Sequence, residues 1–369
     1  MKKFLSALSL TLALCLLAGC AGSPVVYQCT CPTEGQTQTP TEATQDSPKE
    51  TQPPVVAEGE VKTGLAIVTS VAKSASASAE AEGKADYDVT IAAVNVDEKG
   101  VITACYLDSI GASVKFDAEG MITSDTAAAV LTKNELGDDY GMKAKDGGYG
   151  AKYEWYEQAA ALADYAVGKT VSELRTGAVN ESGKAADADL ATVATISLAG
   201  YVDAIEAAVN NAQYLGAQAG DTLKAAVLAS MGDSKSSETE KAGNAQLNVD
   251  AAAITMHGEI ITSCAIDSVQ AKVAFDTTGT ITSDITAPVL TKNQLGDDYG
   301  MKAKDGGYGA KFEWYEQAAS FAAYVTGKTA AEVAGIAVDE GTKPTDADLT
   351  ASVTIAVGGF QALIAKAAE

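Results

Sequence analysis

The sequence predicts an α+β protein built as two tandem homologous domains, each an antiparallel sheet with C-terminal helices. Three observations predict it. A stretch of 28 residues is written twice, as LTKNELGDDYGMKAKDGGYGAKYEWYEQ from Leu131 and LTKNQLGDDYGMKAKDGGYGAKFEWYEQ from Leu290, and the two differ only at Glu135/Gln294 and Tyr153/Phe312. The offset of 159 residues then persists, pairing Asp189 with Asp348 and Thr195 with Thr354. Within each copy, strand-like runs come first and helical periodicities last, the order of an α+β fold. So long a period marks a duplicated domain and not a solenoid, and 369 residues allow each copy a core of its own. Upstream of the twin stretch the copies share little beyond their hydrophobic pattern. Side-chain identity therefore matters in the stretch, unless recent gene conversion has copied it.

The N-terminus reads as a leader and a spacer. Lys2 and Lys3 precede an apolar run over 4–17, too short to span a bilayer comfortably, and Leu17-Ala18-Gly19-Cys20 follows with small residues before a cysteine. This segment resembles the lipobox of bacterial lipoproteins. The resemblance implies a signal peptide over 1–19, cleavage before Cys20 and lipidation of its sulfur. An ordinary secreted protein with a cysteine at that site is the alternative. Residues 20–60 are mostly Thr, Gln, Pro, Ser and Glu, so they cannot bury enough apolar surface to offset chain entropy. A disordered tether is expected there.

The first domain, 61–212, opens with strands over 65–71, 88–96 and 101–108, the last two joined as a hairpin by the turn DEKG, and a short strand is expected over 113–117. The second, 221–369, repeats them over 227–231, 249–256, 260–267 and 272–276. Gly137, Gly141, Gly147, Gly148 and Gly150 keep the twin stretch from forming a long helix. After Glu154, residues Trp155, Ala159, Leu162 and Ala166 recur at helical spacing, with Gly168 as the stop. Thr170-x-x-Glu173 and Thr329-x-x-Glu332 read as capping boxes of a second helix. Leu198, Val202, Ile205 and Ala208, with Val357, Phe360, Leu363 and Ile364, mark a third.

Composition excludes several functions. The formal charge of −23 repels nucleic acid and argues against a nucleic-acid partner. His257 is the only histidine and falls at a turn, so no Ser-His-Asp or Cys-His machinery and no histidine metal cluster is expected. GMKAKDGGYGAK lacks the spacing of a phosphate loop, and Asp138-Asp139 does not fit a calcium loop. No metal site is therefore expected. Cys29 and Cys31 lack the second pair a zinc site needs; they form a local disulfide or stay reduced. Cys105 and Cys264 occupy equivalent strand positions and read as buried small apolar residues.

One site stands out near the last helix. The first copy reads Asp189-Leu190-Ala191-Thr192-Val193-Ala194-Thr195, the second Asp348-Leu349-Thr350-Ala351-Ser352-Val353-Thr354. These resemble the flavinylation motif of the FMN-binding domain family, Asp-x-x-Ser/Thr-Gly-Ala-Ser/Thr, and the opening hairpin resembles the family's as well. The resemblance implies FMN held as a phosphodiester on Thr195, less readily on Thr354, with Asp189, Asp348 and Thr192 as motif residues. The motif's glycine is Val193 in one copy and Ser352 in the other, and only the first copy keeps both Thr192 and Ala194. A helix N-terminus suits a phosphate; as ordinary N-caps, Thr195 and Thr354 would need no ligand. Tyr140, Met142 and Tyr149, with Tyr299, Met301 and Tyr308, are expected to wall an isoalloxazine ring. Trp155 and Trp314 read as core, and Lys143, Lys145 and Lys152 as a solvated face.

These readings together describe a lipoprotein anchored to the membrane at the cell surface, a flavoprotein for electron transfer outside the cytoplasmic membrane. A flavin transferase and a membrane redox donor would be its partners, and the cofactor would do the chemistry in place of catalytic residues. The alternative is a non-redox surface binding lipoprotein that presents two copies of a ligand-binding loop.

Overall fold

The computed structural model describes residues 59–144, 148–302 and 307–369, which belong to one compact unit running from Val55 to Glu369. The leader, the tether with Cys20, Cys29 and Cys31, and Lys145 lie outside the described residues.

In the first repeat, β1 (Glu60–Ser70), β2 (Gly83–Val96) and β3 (Ile102–Phe116) pair as an antiparallel meander. Five helices follow: α1 (Lys133–Leu136), running into a 3-10 turn at Gly137–Tyr140, then α2 (Trp155–Ala166), α3 (Val171–Ala178), α4 (Ala188–Val193) and α5 (Ala199–Asn210). Next, β4 (Gln213–Gln218) returns to pair with β1 and completes a sheet of order β3-β2-β1-β4. The second repeat supplies β5 (Thr222–Ser230), β6 (Gly243–His257) and β7 (Ile260–Phe275) as its own antiparallel sheet. Its helices are α6 (Lys292–Leu295) with a 3-10 turn at Gly296–Tyr299, α7 (Trp314–Val325), α8 (Ala330–Ala334), α9 (Ala347–Thr350) and α10 (Gly358–Ala368). The α+β class holds, with antiparallel sheets each followed by helices.

Alternation along the strands decides how these elements stack. Tyr87, Val89, Ile91 and Ala93 of β2 point to one side of the sheet, Ala92, Val94 and Val96 to the other, and all are buried. A strand apolar on both faces needs cover on both. The helices of each repeat cover one face, and the other repeat's sheet covers the second. The result is four layers: helices, sheet, sheet, helices. At the middle, the rings of Phe116 and Phe275 stack 4.0 Å apart and within 3° of parallel. Gly83 and Gly243 lie beneath these rings, where a side chain on either would run into its phenylalanine.

The contacts between repeats are reciprocal. Ala77 N–H donates to Gly279 O at 2.8 Å, and its counterpart Ser237 N–H donates to Gly120 O at 2.8 Å. Ile122 N–H meets Ser236 Oγ at 2.9 Å, and Ile281 N–H meets Ser76 Oγ at 2.9 Å. Such pairing is the signature of a two-fold interface, here made within one chain. It departs from the expectation that each copy buries a core of its own. Each keeps a helix-side core, but the inner faces of both sheets form one cluster from Leu65 through Phe275.

Other differences are local. The strands expected over 113–117 and 272–276 merge into β3 and β7, because β2 and β6 pair without a break across the intervening residues, Gly111 included. The segment left between the two domains forms β4, and α4 and α9 add short helices ahead of α5 and α10. Upstream of the hairpin turns the offset grows by one, so that Gly83 matches Gly243, because the turn after His257 is a residue shorter. Both expected capping boxes form: Thr170 and Thr329 accept from Glu173 N–H and Glu332 N–H.

Candidate functional site

The twin stretch opens with a capped turn. Thr132 accepts from Glu135 N–H at 3.2 Å while the Glu135 carboxylate accepts from Thr132 N–H at 2.8 Å, a capping box repeated by Thr291 and Gln294. The turn carries Lys133 over two rings, its Nζ lying 5.2 Å from the Tyr140 centroid and 5.1 Å from that of Trp155. Lys292 repeats this at 5.4 Å from Tyr299 and 4.8 Å from Trp314. Beneath, Trp155 Nε1 donates to the Tyr201 hydroxyl at 2.9 Å, whereas Trp314 meets the edge of Phe360 at 5.9 Å. Burial holds both lysines below the usual lysine range.

Two buried side chains then fasten the stretch. Glu154, the N-cap of α2, takes Met142 N–H at 2.8 Å on one oxygen and Lys143 N–H at 2.9 Å on the other. Glu313 does the same for Met301 and Lys302, at 2.7 and 2.9 Å. One turn into α2, the Gln158 Oε1 accepts from Thr195 N–H at 2.7 Å, Ile196 N–H at 3.1 Å and the Thr195 hydroxyl at 3.2 Å. Its Nε2 donates to Tyr153 O at 2.9 Å. Gln317 holds Thr354 and Ile355 in the same way and donates to Phe312 O. The end of the twin stretch and the motif-like segment thus meet in both repeats.

Thr195 and Thr354 are exposed, and each lies three residues before the N-cap of its helix, which is Leu198 for α5 and Val357 for α10. The expectation that these hydroxyls open the last helix is corrected accordingly, and with it the reading of both as N-caps. Neither actual N-cap offers a side chain to the helix N–H groups. Asp189 and Asp348 sit in the first turn of α4 and α9, whose caps are Asp187 and Asp346. The Thr192 hydroxyl donates to Asp189 O at 2.7 Å.

The residues expected to wall a ring differ in burial. Tyr140 and Tyr299 are half-buried under the lysines, and Met142 packs in the helix-side core with Met301 at the edge of its counterpart. Tyr149 and Tyr308 are 80% and 83% exposed, out on the glycine-rich segment. The Glu154 carboxylate fastens the backbone at Met142, which is buried, while Tyr149 lies outside. Trp155 and Trp314 are core residues as read, yet they also floor the lysine sites.

Residues that the sequence reading passed over prove central: Lys133, Glu154, Gln158 and the buried Asp108, each with its counterpart. All are identical between copies, and that was the available signal. Asp108 accepts from Ser109 N–H, Asn134 N–H and the Tyr106 hydroxyl. Asp267 accepts from Ser268 N–H and Asn293 N–H, but Ala265 stands where Tyr106 would donate, and burial pushes its carboxyl up to about 6. A carboxyl whose folded pKa lies above its unfolded value holds its proton more tightly when folded, so its contribution to stability is full below the unfolded pKa and lost as pH rises through about 6. The stability of Asp267→Asn relative to the parent should therefore rise between pH 4 and 7, by about 2–3 kcal/mol at most. Thermal melts of both across that window check it; a flat difference contradicts it.

Burial also pushes the thiols of Cys105 and Cys264 up to about 12, which keeps them protonated and unreactive; Cys264 is buried as expected, whereas Cys105 is only half-buried. Among the described residues no cluster of His, Cys, Asp or Glu could hold a metal ion, and no helix is long and apolar enough to cross a membrane. No protein-family model, curated protein or solved structure matches the chain.

Proposed function

We propose that the protein is a membrane-anchored, extracytoplasmic flavin carrier that relays electrons outside the cytoplasmic membrane, with FMN held at Thr195 and less readily at Thr354. The observation that carries this reading is the glutamine latch. A buried Gln158 presents the Thr195 backbone and hydroxyl at the surface, bolted to the twin stretch, and Gln317 repeats it for Thr354. The residues suit a flavin phosphate in two further respects. The hydroxyl is exposed, and the 12-residue α5 begins nearby with its N–H groups uncapped by any side chain. Gly200 in its first turn faces open space. When bound, the flavin supplies reversible uptake of one or two electrons. The chain positions it: Gln158 fixes the attachment segment, Glu154 shapes the neighbouring loop, and the rigid four-layer body holds two such positions at a constant separation.

In this reading the partners are a lipid membrane reached through Cys20, a flavin transferase and a membrane redox donor. Cys20→Ala should move the protein from the membrane fraction to the soluble one; retention of the variant in membranes contradicts the anchor. The flavin itself is tested by coexpression with a flavin transferase, which should give yellow protein. Colourless protein that also fails to bind free FMN would favour the second reading, a surface binding lipoprotein. That reading draws support from Tyr149 and Tyr308, two exposed tyrosines on identical glycine-rich segments.

A further inference from the structure

Among the described residues, Lys133 and Lys292 are cations without a contact ion pair. Each is held largely out of water with two ring faces against it, yet among the described residues neither Nζ has a hydrogen-bond acceptor or an ion-pair partner. Ring faces attract an ammonium through their quadrupoles but fill none of its N–H donors in the way an oxygen does. The carboxylates nearby are engaged elsewhere. Asp88 pairs with Lys73, and Asp108 takes two backbone N–H groups and a tyrosine hydroxyl. Around Lys292, Asp267 takes two backbone N–H groups, while Asp250 and Lys272 face the ammonium from the sheet without closing an ion pair.

We infer that Lys133 and Lys292 each receive an anionic oxygen group, a phosphate or a carboxylate, of a small ligand, at one site per repeat. A half-buried ammonium with open donors is the complement of an oxyanion, and an arriving anion offsets the desolvation that Asp88 and Asp108 around Lys133, and Asp250 and Asp267 around Lys292, offset only in part. The repetition carries weight. Lysine, tyrosine and tryptophan recur in the same geometry in both copies, although the strands beneath have diverged: Asp88, paired with Lys73, is Asn248 in the second copy, and Asp250 stands where the first copy has Thr90. The inference does not rest on the flavin reading: the lysines lie over Trp155 and Trp314, whereas the threonines are latched one helical turn further on by Gln158 and Gln317. Because burial lowers each lysine from 10.5, binding should fade as pH rises toward that value and be lost before reaching it.

The chain carries its own reporters, since Trp155 and Trp314 are its only tryptophans and each underlies one of these lysines. Intact protein is titrated with inorganic phosphate and, separately, with acetate, against sodium chloride of matched ionic strength, while tryptophan emission is followed. A saturable change is expected in the parent, a partial one in Lys133→Met or Lys292→Met, and none in the double variant. Response to phosphate alone assigns a phosphate-bearing ligand, and response to acetate alone a carboxylate. No saturable change with either anion, or full retention in a folded double variant, overturns the proposal. Should the double variant not fold, NMR of the parent with 13C-methylated lysines decides it. Two resonances of lowered pKa should shift with the anion, and their failure to move overturns the proposal equally.

Discussion

Phe275→Ala should destabilise both repeats at once, by about 3–5 kcal/mol, in a single cooperative transition. The ring is fully buried and stacks on Phe116 at 4.0 Å, at the middle of a cluster to which β1, β2 and β3 contribute as much as β5, β6 and β7. Removing it leaves a cavity between two sheets, and neither sheet can collapse into that space without losing its reciprocal backbone contacts. Denaturant unfolding followed by tryptophan emission, which reports both repeats, and by far-ultraviolet circular dichroism measures the effect. Coincident transitions in parent and variant are expected. A parent that unfolds in two separated steps, with Phe275→Ala shifting only one of them, contradicts the shared core.

Gln158→Ala should cost about 2–4 kcal/mol, because it strands several buried or half-buried groups together. The amide now satisfies Thr195 N–H, Ile196 N–H and Tyr153 O, and nothing else bonded to these groups can take its place. Gln158→Glu should recover part of the loss, since a carboxylate still accepts from both N–H groups but cannot donate to Tyr153 O. Hydrogen exchange at Thr195 and Ile196 supplies the local readout. Both amides should be protected in the parent and exchange freely in Gln158→Ala; equal protection in the two proteins would falsify the latch. The proposed flavin site makes one more demand, that Gln158→Ala lose flavin acceptance even where it remains folded.

Much of the fold was legible because its signals are local. The helical spacing of Trp155, Ala159, Leu162 and Ala166, the capping boxes at Thr170 and Thr329, and the alternation in β2 each depend on residues close in sequence. The stacking of the two sheets was not legible, although its trace is present. Ile91 through Val96 is buried on both faces, which helices on one side alone could not achieve. Nothing in one sequence distinguishes a second helical layer from a second sheet as the missing cover. That the twin stretch meets the motif-like segment was legible; the residues that join them were not. Thr195 does meet the twin stretch, but through Gln158, a residue to which the sequence attached no role. Tyr149 was expected on the ring wall beside Tyr140. Tyr149 is instead far more exposed than Tyr140, and the Glu154 carboxylate fastens the backbone at Lys143 by a contact that spans eleven residues and has no periodicity to announce it.

The measurement closest to the central claim is peptide mapping by mass spectrometry of protein coexpressed with a flavin transferase. One FMN, joined through a phosphodiester, should lie on the peptide that contains Thr195 and be absent in Thr195→Ala, with the Thr354 peptide modified to a smaller extent or not at all. Flavin on any other peptide, or an unmodified Thr195 peptide in protein that carries no flavin, contradicts the account.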